Sequence, residues 1–182
     1  MALATKALPF GMRQIILKPL SADGLTPGAS VTLPVSRTLS FGEDEDSEEL
    51  RGDDVVAAVH GSGATVSWDL ESGGISLEAY AVMAGGAIVT TGVTPNIKKT
   101  YTKLDTDIRP YFKMEGRAIS DNGGDFHVLI YRAKVTDSLE GELSDQSFWL
   151  TSASGTGFGS LEVANLGKLY DFVHNETAVV IP

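Results

Sequence analysis

The stretch that most constrains the fold is ATVSWDL, Ala64–Leu70. Ala64, Val66, Trp68 and Leu70 share one parity, and Thr65, Ser67 and Asp69 take the other. Successive side chains of an extended chain point to opposite faces, so this alternation predicts a strand with one dry and one wet face. Lys113, Glu115 and Arg117 alternate with Phe112 and Met114 in the same way. Short β-branched runs and 20 glycines carry the pattern along the chain, as expected for strands joined by tight turns.

Other segments take their places around these two. Arg13–Pro19 reads as a strand ended by proline. Residues 30–41 read as one interrupted strand or two short ones, with Pro34 at the break. Val55–Leu70 reads as a hairpin turning at Gly61-Ser62-Gly63, and residues 111–135 as a second one turning at Asn122-Gly123. One helix is expected, around 76–84. Ile75, Ala79, Val82 and Met83 fall on one face, Ser76 can cap the first turn, and Glu78 lies favourably against the helix dipole. Ile75 and Tyr80 occupy staple positions, and Gly85 and Gly86 end the segment. So short a helix does not hold alone in water and must lie on a sheet. Residues 88–110 read as a loop with a short strand, Glu140-Gly141-Glu142 as a turn into residues 147–154, Gly155–Ser160 as a flexible corner, and Gly167–Pro182 as a closing strand. With no internal repeat and no separable linker, the 182 residues read as a single mainly β (α+β) domain.

The charge is concentrated in one place. Glu43, Asp44, Glu45, Asp46, Glu48, Glu49, Asp53 and Asp54 face a single base, Arg51, so −7 of the formal net charge of −10 belongs to this segment. The expectation is a solvated, mobile loop over 42–54. A calcium loop counted from Asp44 fails, because position six is Glu49 where the sharp turn needs glycine.

A search for chemistry comes back nearly empty. The chain has no cysteine, and His60, His127 and His174 lie far apart without metal-ligand spacing. No nucleophile elbow or phosphate loop occurs, and the glycines of GTGFG precede no helical pattern. The expectation is therefore no catalysis, no metal and no cofactor. The first twelve residues lack a basic leader followed by an apolar run, so no signal peptide is expected. The longest apolar run, Ala79–Val89, falls short of the roughly 20 residues needed to span a bilayer, so membrane insertion is not expected. Net acidity also argues against electrostatic capture of nucleic acid.

Long strands in one domain leave sheet edges to be managed, and pairing with identical copies is one way to manage them. The ordered combination of the acidic run, RGDD (Arg51–Asp54), a hairpin containing Trp68, ESGGI (Glu71–Ile75) and a short helix resembles the major tail proteins of long-tailed, non-contractile bacteriophages. So do SFWLTSASGTGFG (Ser147–Gly159) and GKLYDFVHNETAVVIP (Gly167–Pro182). The likeness runs from Leu33 onward.

That resemblance implies two packed antiparallel β-sheets, a sandwich or barrel-like tail tube fold, flanked by the helix. It implies six-fold rings that stack into a tube around a tape-measure protein, tail-end adaptor and baseplate proteins at the extremities, and double-stranded DNA passing through without specific binding. The location implied is the virion tail, after synthesis in the host bacterial cytoplasm. A flexible N-terminal arm (1–12) and the acidic loop would order on stacking, and the extra immunoglobulin-like C-terminal domain of some relatives is not expected. Lys98, Lys99 and Lys103 are a candidate basic complement to the acids on an adjacent ring. The alternative is a non-catalytic β-sandwich module that binds a ligand such as carbohydrate, with Trp68 or Trp149 as platform; alternation buries Trp68, which counts against it.

Overall fold

In the computed structural model, residues 6–52 and 54–181 are described, apart from the side chain of Ser62. Eight strands form one antiparallel sheet: β1 (Pro9–Pro19), β2 (Val31–Thr32), β3 (Val35–Gly52), β4 (Val55–Gly73), β7 (Phe112–Ser120), β8 (Asp125–Gly141), β9 (Leu150–Phe158) and β10 (Tyr170–Asn175). Their order is β2-β1-β7-β8-β9-β4-β3, with β10 beside β8. The helix α1 (Leu77–Ala84) comes next after β4, and β5 (Ala87–Thr91) pairs with β6 (Lys98–Thr102) in a small second sheet. The mainly β expectation with one helix holds.

The alternation in β4 does what its pattern demands. Val66, Trp68 and Leu70 are buried, while Thr65, Ser67 and Asp69 are exposed. Trp68 meets Phe112 edge to face, with ring centroids 5.7 Å apart. Ile15 and Leu17 of β1, Met114 of β7, and Ile130, Ala133 and Val135 of β8 complete the core with them. Ala79, Val82 and Met83 of α1 join that core. Burying Val82 and Met83 contributes roughly 1.5–3 kcal/mol each, which is what secures a helix this short. Ser76 caps it, accepting from the Ala79 N–H at 3.2 Å, and Gly85 closes it at φ 78°. Ile75, expected on the buried face, stays half exposed beside the cap.

The layers of the core come from opposite ends of one rolled sheet. Strand β3, last in the order, crosses back over β7, where a Cβ on Gly116 would lie 2.5 Å from the Leu39 side chain. Phe41 of β3 packs on Tyr170 and Phe172 of β10. The length of β8 permits the roll. Its first half pairs with β7 and β10 and its second with β9, with a register irregularity opposite Phe112–Met114.

Several local expectations are corrected. The acidic segment is not a loop: it is the second half of β3, paired with β4 as far as Gly52–Val55. The last pair of the hairpin is Gly52–Val55, Asp54 has φ 62° in the turn, and Asp53 lies outside the described residues. Gly61-Ser62-Gly63 is therefore not the turn. It is a bulge inside β4, where the register shifts between Glu45 and Ser47. Gly155 and Gly157 belong to β9 and make no corner. A Cβ on Gly155 would lie 2.1 Å from the Lys134 carbonyl and 2.8 Å from the Trp68 ring, so the reason for glycine is close approach. Gly141 ends β8 under the Trp149 ring, and the chain turns beyond it. Residues 9–12 of the expected N-terminal arm are strand, paired with β7, while residues 1–5 lie outside the described set. The expected loop 88–110 contains both strands of the small sheet.

Candidate functional site

The β3–β4 hairpin divides at one pair. Strand β4 carries β9 on its outer side only from Val66 to Gly73. Beyond Val66 the ribbon continues through Asp44–Gly52 and Val55–Thr65, and among the described residues no third strand lies on either side of it. Nine residues of overhang at 3.3 Å each carry the tip about 30 Å from the body. Every residue from Asp44 to Gly52 is exposed. So are Leu50, Val55, Val56 and Val59, with Leu50 at 65% and Val59 at 60%. A two-stranded ribbon alone is marginal in water, so this one is stabilised by little beyond its own ladder.

The structure brings the expected acids together on this ribbon. Glu43 sits at its root, where the Tyr170 hydroxyl donates to Glu43 Oε2 at 2.6 Å; that bond raises the Tyr170 pKa above its ordinary value. Asp44, Glu45, Asp46, Glu48 and Glu49 follow along β3, and Glu45 lies over Gly61 of the bulge. Arg51 pairs with Glu49 at 2.6 Å, a surface contact worth at most about 1 kcal/mol. Asp54 forms the turn.

The expected basic complement is largely occupied within the chain. Lys99 Nζ binds Glu78 Oε1 at 2.6 Å and lowers the Glu78 pKa. Lys103 Nζ donates to the carbonyls of Ala84 and Asp107, so it caps the C-terminus of α1. Lys98 is exposed on β6.

Sequence reasoning missed a second cluster, a buried polar network on the outer face of β7 and β8. His127, 5% exposed, lies between Glu115 (Nδ1–Oε1, 2.9 Å) and Asp125 (Nε2–Oδ2, 3.0 Å). Asp125 is fully buried and also accepts from Asn175 Nδ2 at 2.9 Å and the Val179 N–H at 2.7 Å. Arg117 donates to the Val179 carbonyl. Burial alone would lower the His127 pKa, but its two carboxylate partners outweigh it and hold it above 6.5. Burial opposes the charge on Asp125 too, and the bonds from Asn175, His127 and Val179 win, holding it below 3.8. The network ties the C-terminal segment to the sheet. The only advance sign was alternation itself, which puts Glu115, Arg117, Asp125 and His127 at same-parity positions on two neighbouring strands.

Trp68, 1% exposed, offers no ligand platform, while Trp149 is half-buried and packs over Gly141 with its Nε1 on Thr151. Beside it, Phe148 and Val35 border an apolar groove with Pro34 and Leu150. His60 is exposed on the ribbon. Among the described residues, no group of three or more acidic or histidine side chains could hold a metal ion, and no helix is long and apolar enough to cross a membrane. No family model matches the sequence, and no curated protein matches it either.

Proposed function

We propose that this chain is a structural subunit that assembles with copies of itself into stacked rings forming a tube, in the manner of the phage tail proteins its sequence resembles. The observation that carries the reading is the bare ribbon: a long strand pair with both edges open, both faces exposed and four large apolar side chains in water. Such a surface is a liability in a lone globule and an asset in a subunit whose neighbours cover it.

On this reading the protein performs no chemistry and holds no cofactor. Its partners are its own copies, a tape-measure protein during assembly, adaptor and baseplate proteins at the two ends, and DNA in transit. Its place is the virion tail after synthesis in the host cytoplasm. A wall carrying net negative charge would repel the genome over about 8 Å at physiological salt, which suits a conduit.

Negative-stain microscopy of the concentrated protein tests this directly. Rings or hollow tubes are expected. A protein that stays monomeric across concentration and salt overturns the reading.

A further inference from the structure

We infer that the acidic ribbon of one copy docks, tip first, on a preorganised cationic face at the root of the ribbon on the next copy. The inference rests on the assembly reading above and names the contact through which it would propagate.

The receiving face lies where β8 meets β9. Arg132 stacks over the rings of Tyr111 and Phe158, 5.1 and 5.7 Å from their centroids, and Lys134 lies 4.9 Å from the Tyr111 centroid. The two rings meet edge to face at 6.1 Å. Arg109 is fixed beside them by donating to the carbonyls of Val135 and Asp137. Three cations are thus held in place before any partner arrives, so little side-chain entropy remains to be lost on binding.

These cations lack the counter-charge that three other bases of the fold have. Lys113 lies 3.9 Å from Glu162, Lys168 pairs with Asp171 at 3.0 Å, and Arg117 sits 3.7 Å from Asp125. Among the described residues, Arg109, Arg132 and Lys134 form no ion pair at all. The nearby Asp137 carboxylate is engaged by the Ser138 N–H and the Ser154 hydroxyl. The buried Nε of Arg132 has no hydrogen-bond partner. A cavity of about 340 Å³ lined by Leu20, Ile108, Arg109, Tyr111 and Lys134 opens beside them, offering room for an apolar side chain next to the charges. Other bases, among them Arg13, Lys18 and Lys98, also form no ion pair among the described residues, but Arg109, Arg132 and Lys134 are gathered on one face of a chain whose net charge is −10.

The ribbon supplies both complements, carboxylates at Glu48 and Glu49 and apolar side chains at Leu50 and Val59. Its geometry forbids the contact within one chain. Phe158 lies one residue beyond the last β4–β9 pair, Val66–Gly157, so the cationic face sits at the root while Glu48 and Glu49, five and six residues out from Glu43, are carried about 15–20 Å away along the ribbon. Tip to root is a contact between different surfaces on two copies. A contact of that kind repeats, closing into a ring or extending as a filament.

Two experiments test this together. The chain has no cysteine, so Glu48→Cys and Lys134→Cys proteins each carry a single thiol. Mixed and treated with a short bis-maleimide, they should give a cross-linked dimer that neither gives alone. Arg132→Glu with Lys134→Glu should raise the concentration needed for assembly about tenfold or more, because like charges would then oppose each other. Adding Glu48→Lys and Glu49→Lys in the same chain should restore it. Lys134→Gln, with circular dichroism on every variant, guards against misfolding, and it should weaken assembly without changing the fold. Assembly that proceeds without the cross-link and ignores the reversal overturns this contact while leaving the assembly reading intact. A reversal that abolishes binding of polyphosphate or an oligonucleotide while assembly is unchanged overturns it in favour of a polyanion. Wild-type protein that never assembles overturns both.

Discussion

Replacing Asp125 probes how the C-terminal segment is held. Both carboxylate oxygens accept: Oδ1 from Asn175 Nδ2, and Oδ2 from the Val179 N–H and His127 Nε2. Asp125→Ala therefore strands a backbone donor, an amide donor and a histidine with raised pKa in a site closed to water. Removing one partner of a buried charged network costs about 3–5 kcal/mol. Asp125→Asn keeps the shape but has one oxygen. Whichever way the amide turns, its NH2 faces a donor, so one bond is lost at about 1–3 kcal/mol.

Urea unfolding of the unassembled protein measures both costs, and hydrogen exchange locates them, with amides 175–181 losing protection before those of β7. The pH dependence adds a signed check. The His127 pKa is raised, so its contribution is fully present below 6.5 and is lost as pH climbs through the higher folded value. The Asp125 pKa is lowered, so its contribution is present above 3.8 and is lost as pH falls through the lower folded value. Wild type should thus lose stability relative to the Ala variant on both sides of the window between those two values. An Ala variant within about 1 kcal/mol of wild type at pH 6, with unchanged exchange at 175–181, would refute the account.

Other substitutions sort by the same reasoning. Gly155→Ala places a methyl 2.1 Å from a backbone oxygen that cannot move alone, and should cost about 3 kcal/mol or more in urea unfolding. Gly61→Ala also brings a Cβ within 2.1 Å of an atom, but that atom ends the flexible Glu45 side chain on an exposed ribbon; stability should change by less than about 1 kcal/mol. Trp68→Ala empties the centre of the core and should cost about 3–5 kcal/mol by the same assay. Changing Glu43, Asp44, Glu45 and Asp46 to Ser should leave the thermal transition of the monomer within a few degrees while altering the salt dependence of assembly read by light scattering.

What could be read from the sequence was whatever local geometry decides. The alternation at Ala64–Leu70, the Ser76 cap and the Asn122-Gly123 turn each rest on a few adjacent residues, and each stands in the fold. The acidic segment misled because dense charge ordinarily marks a loop. Here charge on a strand costs little, since the ribbon is wetted on both faces and its partner strand supplies Val55, Val56 and Val59. Gly61-Ser62-Gly63 misled because flexibility suits a bulge as well as a turn. Gly155 of β9 could not be assigned at all, because its reason is a tryptophan some 90 positions earlier and a carbonyl on the neighbouring strand. The cationic face was equally hidden. Tyr111, Arg132, Lys134 and Phe158 meet only after β8 and β9 pair, and no spacing along the chain reveals which lysines lack a partner.

Placing the acids on a strand has a consequence that a loop would not give. Along one face of a strand, side chains recur about every 7 Å, less than the screening length of about 8 Å at physiological salt. Two such ribbons laid edge to edge would repel along their whole length. That pairing is the one their open edges and exposed Leu50, Val55, Val56 and Val59 would otherwise favour, and it leads to aggregation. A tip meeting a cationic face meets the opposite sign instead. On the assembly reading, the same carboxylates would block the symmetric, unproductive contact and favour the asymmetric one. Added salt should weaken both effects, so the pathway that gains as charges are screened is ribbon-to-ribbon association. A protein whose ordered assemblies give way to disordered aggregate as salt rises fits this balance; one whose ordered assembly strengthens steadily with salt does not.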